Sequence, residues 1–194
     1  MLAEAIARTN SAPFVFVDVG ANVGLYCLFA RAAAQGTGRA LQALAIEPAS
    51  AARARLETNL RFSGAGDVTV APVAVTAHAG PVRLAVDPSN RGESRLTDEA
   101  SASGETVEGA PLADILARFH IGAVDAMKID IEGGEAEALS DYFEAAPQPQ
   151  WPRLLIAETG GHAHNRATEA LCLEKGYRVQ LSSRLNTVFA LDLI

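Results

Sequence analysis

One segment near the start of the chain constrains the fold more than any other. Residues 14–19, Phe-Val-Phe-Val-Asp-Val, form a β-favouring run, and a glycine-containing turn over 20–24 follows directly. A strand whose apolar residues do not alternate with polar ones is typical of a parallel sheet that is buried on both faces. Residues 25–35 then have a helical pattern, so the segment predicts a strand, a tight turn and a helix, the repeating unit of a doubly wound α/β domain.

The rest of the chain continues this alternation. Further strands are predicted at 40–46, 68–75, 80–86, 124–131, 153–159, 177–181 and 187–191, and helices at 49–62, 111–119, 134–143 and 165–175. Only five residues separate the last two strands, too few for a parallel crossover, so this pair is predicted to be antiparallel. The sequence therefore predicts an α/β fold with a doubly wound, mostly parallel sheet.

The length of the chain suits a single domain over residues 1–194, with 1–13 as a lead-in to the first strand. Residues 87–104 are rich in Pro, Ser, Gly and charged residues and are interpreted as a mobile surface loop. Two interpretations of that loop stay open: it closes over a substrate, or it is an ordinary disordered loop.

Charge and hydropathy exclude several classes of partner. The chain has 23 acidic and 16 basic residues, a net charge of −7, which argues against nucleic-acid binding and against docking on an anionic membrane. No stretch reaches the roughly 18 apolar residues of a membrane span, and the N-terminus lacks a secretory-signal pattern. Cys27 and Cys172 are interpreted as buried free thiols, which favours a reducing, cytoplasmic location. The oligomeric state stays open.

The turn after the first strand is where a doubly wound sheet binds its ligand. Gly20 and Gly24 allow a tight turn, and Asn22 tolerates positive φ better than most residues. Asp18 ends the strand where a ligand ammonium would bind. Glu47, 23 positions after Gly24, ends the next strand, where an acidic side chain accepts hydrogen bonds from ribose hydroxyls. The alternative is that the glycines serve only close packing.

The spacing of this turn favours S-adenosylmethionine as the ligand. A dinucleotide fold prefers Gly-x-Gly-x-x-Gly, and this turn lacks the middle glycine. The anionic Asp18 disfavours a pyrophosphate, whereas S-adenosylmethionine offers an ammonium, a sulfonium and a ribose without any phosphate. The predicted function is methyl transfer, with S-adenosylhomocysteine as product. A nicotinamide-dependent oxidoreductase and a non-catalytic nucleoside-binding module are the alternatives.

Residues 127–135, Met-Lys-Ile-Asp-Ile-Glu-Gly-Gly-Glu, place a lysine and three carboxylates around the end of another predicted strand. Period-two alternation sends Lys128 and Asp130 to the same side. Glu135 falls in the first turn of the next helix, where a negative charge is favourable. These acids have two interpretations, a functional one and a structural network that holds Lys128 and the glycine turn.

Together these motifs resemble the FkbM-type methyltransferases, which are class I enzymes that use S-adenosylmethionine. The resemblance covers residues 14–191 and rests on 18–24, Glu47-Pro48, Asn59, Ala74-Val75 and 128–135. It implies a Rossmann-like, seven-stranded sheet with an antiparallel last strand, and methylation usually of a hydroxyl oxygen on a small molecule, sugar or secondary metabolite. Gly134 stands where the family often has Ala.

The resemblance also implies a set of cofactor-binding positions, which are Asp18, Gly20, Asn22, Gly24, Glu47, Pro48 and Ala74. The first four would surround the methionine part of the cofactor. Glu47 would bind the ribose hydroxyls with Pro48 beside it, and Ala74 would lie near the adenine. Asp130 would lie between the cofactor and the acceptor.

A hydroxyl acceptor benefits from a general base, worth roughly 10²–10⁴-fold in rate. Asp130 is the first candidate, with Glu132 of the same motif beside it. His162 and His164 are the second candidates, because the ordinary pKa of a histidine suits base catalysis near neutral pH. The His-x-His spacing of His162 and His164, with Glu158 before them, is also compatible with a divalent metal site. The alternative is that these histidines are ordinary polar loop residues, and no residue is assigned as a metal ligand. The expected partner is a small-molecule or glycan hydroxyl acceptor, with no nucleic acid and no membrane.

Overall fold

A computed structural model describes residues 1–9, 12–86, 94–96, 104–159 and 163–191. The strands are β1 (Phe14–Val19), β2 (Leu41–Ile46), β3 (Val68–Ala71), β4 (Val73–Val75), β5 (Gly80–Val86), β6 (Ser94–Leu96), β7 (Gly104–Ala110), β8 (Ala126–Ile129), β9 (Leu154–Glu158), β10 (Arg178–Ser182) and β11 (Asn186–Ala190). The helices are α1 (Leu2–Arg8), α2 (Leu25–Gly36), α3 (Ser50–Phe62), α4 (Leu112–Arg118), α5 (Glu135–Ala145) and α6 (Ala163–Glu174). A 3₁₀ turn spans Gln148–Gln150.

The main sheet has seven strands in the order β3-β2-β1-β8-β9-β11-β10. Strand β11 is antiparallel to both of its neighbours, and the other pairs are parallel. The predicted doubly wound sheet with an antiparallel last strand is therefore confirmed. The strand order reverses at β1, where Asp18 lies opposite Ala45 of β2 and Lys128 of β8. Such a reversal opens a crevice at the carboxyl ends of the strands.

Both faces of β1 are buried, which explains why apolar residues occupy the four successive positions 14–17. Phe14 and Phe16 pack in a cluster that contains side chains of α1, α2 and α3. Val17 and Val19 point the other way, into a cluster with side chains of α4, α5 and α6. The sheet thus lies between two helical layers, and its central strand contributes to both cores.

A second sheet, in the order β4-β7-β5-β6, was only partly predicted from the sequence. The expected strand at 68–75 is divided at Pro72 into β3 in the main sheet and β4 in the second, because proline has no N–H to continue a ladder. The strand at 80–86 is confirmed and pairs antiparallel with β7.

The prediction of a loop over 87–104 was wrong at 94–96 and at Gly104, which belong to β6 and β7. Strand β7 was not predicted because its sequence is polar, since most of this strand is not buried. Residues 87–93 and 97–103 lie outside the described residues. The lead-in 1–13 contains α1, whose Leu2 and Ile6 are buried.

Two further expectations concern cysteine and the membrane. Cys27 and Cys172 are both free and buried, as predicted. In the described part of the chain, no helix combines the length and apolar character that crossing a bilayer demands.

We predict that Gly20→Ala destabilises the protein strongly. Gly20 has φ of +74°, and an added Cβ would overlap the backbone carbonyl oxygen of Asp130. The left-handed conformation alone costs alanine about 1–2 kcal/mol, and the overlap adds to that cost. Urea unfolding of the variant measures the loss of free energy.

Gly122→Ala is the matched control. An added Cβ at Gly122 meets no atom within 4 Å, so its free energy of unfolding should stay within about 0.5 kcal/mol of the parent. Equal stability of the two variants would contradict the close approach of the Gly20 turn to β8.

Candidate active site

A pocket of about 440 Å³ opens at the carboxyl ends of β1, β2 and β8. Residues of β4, β5 and α5 complete its walls. The sequence-predicted site residues that line it are Gly20, Asn22, Glu47, Pro48, Ala74, Asp130 and Glu132. Asp18 and Gly24 do not line the pocket. Asp18 is buried beneath the glycine turn, and Gly24, which precedes α2, has φ of +86° and faces Leu56 of α3.

The turn between β1 and α2 is fastened to the end of β2. The N–H groups of Gly20 and Ala21 both donate to the carbonyl oxygen of Ile46, at 3.0 Å. Asn22 has φ of +49°, the conformation for which asparagine was expected at this position. Asn59 of α3 donates its side-chain amide to the carbonyl oxygen of Val23 at 2.9 Å, which gives this motif residue a structural role.

Glu47 holds the same turn from the side of the pocket. One carboxylate oxygen accepts the N–H of Asn22 at 2.8 Å, and the other accepts the N–H of Ala49 at 2.9 Å. Burial raises the pKa of Glu47 above its ordinary value, and these two hydrogen bonds oppose the shift. Each oxygen keeps a second lone pair for a further donor, so the side chain can hold the turn and accept ligand hydroxyls together.

At the bottom of the pocket, Lys128 contacts two carboxylates and the glycine turn. Its Nζ lies 3.3 Å from Asp130 Oδ2 and 3.8 Å from Asp18 Oδ1. It also donates to the carbonyl oxygen of Gly20 at 2.9 Å. The predicted common side of Lys128 and Asp130 is thus confirmed by their contact. The Cys27 thiol donates to Asp18 Oδ2 at 3.4 Å, a contact that sequence patterns did not indicate.

Glu135 fixes the turn that follows Asp130. Its buried carboxylate accepts the N–H of Ile131 at 2.7 Å and the N–H of Gly133 at 3.1 Å. In this turn, Glu132 and Gly133 adopt left-handed backbone conformations, with φ of +61° and +108°. Glu135 therefore has the structural role that was one of its two interpretations, while Glu132 lines the pocket.

The histidine candidates are not tested. His162 lies outside the described residues, and His164 falls in α6, where only the backbone is described. Oxygens of Asp130, Glu135 and Glu158 lie within 4.8 Å of one another. Asp130 is paired with Lys128, and Glu135 with backbone N–H groups.

Part of the pocket comes from residues that sequence patterns did not single out. Val73, Thr76, Ala77 and Leu84 extend the wall that contains the predicted Ala74, and Glu137 and Asp141 of α5 lie on another wall. The spacing of four between these two acids was the only available signal, because residues four apart share a helix face. Glu105 of β7 accepts the N–H of Ser50 at 2.7 Å, which docks the second sheet against the start of α3.

Comparison with known proteins agrees with this geometry. Residues 18–179 match the family model of the methyltransferase FkbM domain. The methyltransferase sdnD of Sordaria araneosa is 27% identical across an alignment that covers 90% of this chain and 77% of that protein.

Two solved structures have the same fold. The methyltransferase FkbM of Methylobacillus flagellatus KT has a TM-score of 0.57 and 20% identity, covering 97% of this chain and 47% of that chain. This chain therefore spans about half the length of that protein. The ribosomal protein L11 methylase of Lactobacillus delbrueckii subsp. bulgaricus has a TM-score of 0.55 and 16% identity, covering 99% and 77%.

At such low identities the two structures establish the fold alone. The family match extends over most of the chain, from Asp18 to Val179, and includes the glycine turn, Glu47 and the motif at 128–135. The chain therefore belongs to the FkbM methyltransferase family.

Proposed function

We propose that the chain transfers a methyl group from S-adenosylmethionine to a hydroxyl oxygen of a small molecule or glycan. One observation carries this proposal: three adjacent strands end at a single pocket, to which they contribute Gly20, Glu47 and Asp130. Its volume of about 440 Å³ falls within the roughly 300–1,000 Å³ of small-molecule sites.

The chemistry of the pocket fits a nucleoside without phosphates. Among the described residues that line it, Lys128 alone is basic, and it already contacts Asp130 and Asp18. A pyrophosphate would meet mainly carboxylates, which disfavours the nicotinamide cofactor of an oxidoreductase. Glu47 would accept the ribose hydroxyls, and Ala74 and Pro48 offer apolar surface for the adenine.

The glycine turn and the buried Asp18 would hold the methionine part. Asp18 Oδ1 has no hydrogen-bond partner, and because Asp18 does not line the pocket, its attraction for the ligand ammonium would be mainly electrostatic. When bound, S-adenosylmethionine supplies an electrophilic methyl group. The contribution of the chain is then to orient the acceptor, and alignment is worth on the order of 7–11 kcal/mol in well-oriented model systems.

Asp130 is the proposed general base. Its side chain is 36% exposed, whereas that of Asp18 is 1% exposed, so an acceptor hydroxyl can reach Asp130 directly. The carboxylate would accept the hydroxyl proton as the oxygen attacks. Glu132 and His162 remain proposed alternatives for this step, Glu132 because it lines the same pocket.

The most specific part of the proposal is the chemical class of the methyl acceptor. The net charge of −7 disfavours a nucleic-acid acceptor, and the family resemblance favours a hydroxyl. Relatives of this fold differ in acceptor, since one is named as a ribosomal protein L11 methylase. A reducing, cytoplasmic location is also proposed, supported by the two free thiols.

We predict that S-adenosylhomocysteine stabilises the protein and that Glu47→Ala removes most of this effect. A ligand at a hundred times its Kd adds about 2.7 kcal/mol to the free energy of unfolding. The loss of hydrogen bonds to a charged acceptor should weaken binding roughly tenfold to a hundredfold. Calorimetric titration at a temperature where both proteins are folded measures the two dissociation constants.

Tyr142→Phe is the control for general destabilisation. The Tyr142 hydroxyl donates to the carbonyl oxygen of Gln150 at 2.9 Å, outside the pocket. Its removal should cost stability without changing the affinity for S-adenosylhomocysteine. If the parent protein does not bind this product at all, the proposed function is wrong.

We also predict that Asp130→Asn slows methyl transfer by roughly 10²–10⁴-fold while binding of S-adenosylhomocysteine persists. The measurement is product formation with an acceptor found in a panel of sugars, hydroxy acids and phenols. Asp141→Asn makes the same chemical change on the α5 wall of the pocket and should retain most turnover. Unchanged turnover in Asp130→Asn would eliminate Asp130 as the base.

A further inference from the structure

Lys128 is the most connected polar side chain at the bottom of the pocket. It is 7% exposed and lines the pocket. Its Nζ donates to the carbonyl oxygen of Gly20, contacts Asp130 and Asp18, and lies 5.6 Å from the centre of the Tyr26 ring. The ammonium therefore connects the turn on the donor side to the carboxylate on the acceptor side.

The charges around this ammonium do not balance. When both carboxylates are ionised, Asp18 and Asp130 carry two negative charges and share the single positive charge of Lys128. Burial raises the pKa of Asp18, and the Lys128 ammonium is the largest influence that opposes the shift. Without Lys128, a carboxylate that is 1% exposed would have no cation beside it, which is a costly arrangement.

The two ligands of the proposed reaction differ in charge at the sulfur atom, which belongs to the methionine part that the proposed function puts at the Gly20 turn. S-adenosylmethionine carries a positive sulfonium, and S-adenosylhomocysteine has a neutral thioether in its place. A site that is too negative would bind the donor well but would also favour it strongly over the product. The net charge under the glycine turn therefore sets the ratio of the two affinities.

We infer that Lys128 is a positioning and specificity-determining residue of the donor site: it holds the Gly20 turn and reduces the negative charge beneath it. This inference rests on the proposed function and assigns to Lys128 a role that no other described residue lining the pocket can supply, because Lys128 alone among them is basic. The hydrogen bond to Gly20 affects both ligands equally. The charge affects the two ligands differently, because only the donor carries the sulfonium, so the two parts of the role are separable by measurement.

The test compares the dissociation constants of S-adenosylmethionine and S-adenosylhomocysteine by calorimetric titration at fixed pH and salt. Lys128→Met keeps the length of the side chain and removes the charge. The affinity for S-adenosylhomocysteine should fall because the bond to Gly20 is lost. The preference for the cationic donor over the product should nevertheless rise roughly five- to tenfold, the scale of one charge acting across a partly buried site.

Lys128→Arg is the conservative variant. It retains the positive charge but presents a planar, bulkier group. Both affinities should fall by similar factors, and their ratio should stay within about twofold of the parent. A change of ratio in Lys128→Arg as large as that in Lys128→Met would overturn the role of charge.

A double variant, Asp18→Asn with Lys128→Met, covers the case in which Lys128→Met alone fails to fold. It removes one charge of each sign, so the affinity ratio should return to the parent value. A purely structural lysine would lower both affinities by the same factor in every variant, and that result would overturn the inference but leave the proposed function intact. Failure of the parent protein to bind either ligand would overturn both.

Discussion

The contact between the Gly20 turn and the end of β8 determines the geometry of the whole pocket. A side chain at Gly20 would overlap the Asp130 carbonyl oxygen, and Lys128 donates to the carbonyl oxygen of Gly20 from the other direction. The main-chain bonds to Ile46 and the Glu47 carboxylate join β2 to the same turn. Three strand ends are thereby held at fixed separations, as a site that aligns two ligands requires.

The main sheet could be predicted from the sequence because its signals are local. Three features each constrain the neighbouring backbone directly: the β-favouring run at 14–19, the short connection before β11 and the turn glycines. The second sheet could not, since Pro72 moves the chain from one sheet to the other and β7 has a polar sequence. The contact of Lys128 with Asp130 follows from local alternation, whereas its contacts with Asp18 and Gly20 could not be predicted because they depend on which strand ends meet.

Most of the predicted cofactor-binding residues lie together in the candidate site. Of the predicted cofactor-binding residues, Gly20, Asn22, Glu47, Pro48 and Ala74 line one pocket, and Gly24 shapes the turn. Asp18 is buried beneath the turn, so its proposed influence on a ligand is mainly electrostatic. Family membership and the single, carboxylate-paired lysine among the described lining residues both favour a methyltransferase over a nicotinamide-dependent enzyme. A non-catalytic nucleoside-binding module would have the same pocket without turnover.

The central claim is that this pocket binds the methyl donor with its ribose at Glu47 and its methionine part at the Gly20 turn. A crystal structure of the complex with S-adenosylhomocysteine tests it most directly. Both ribose hydroxyls should lie within hydrogen-bond distance of the Glu47 carboxylate, and the amino-acid end of the ligand should lie above Asp18 and Lys128. A ligand bound elsewhere, or in this pocket with its ribose away from Glu47, would contradict it.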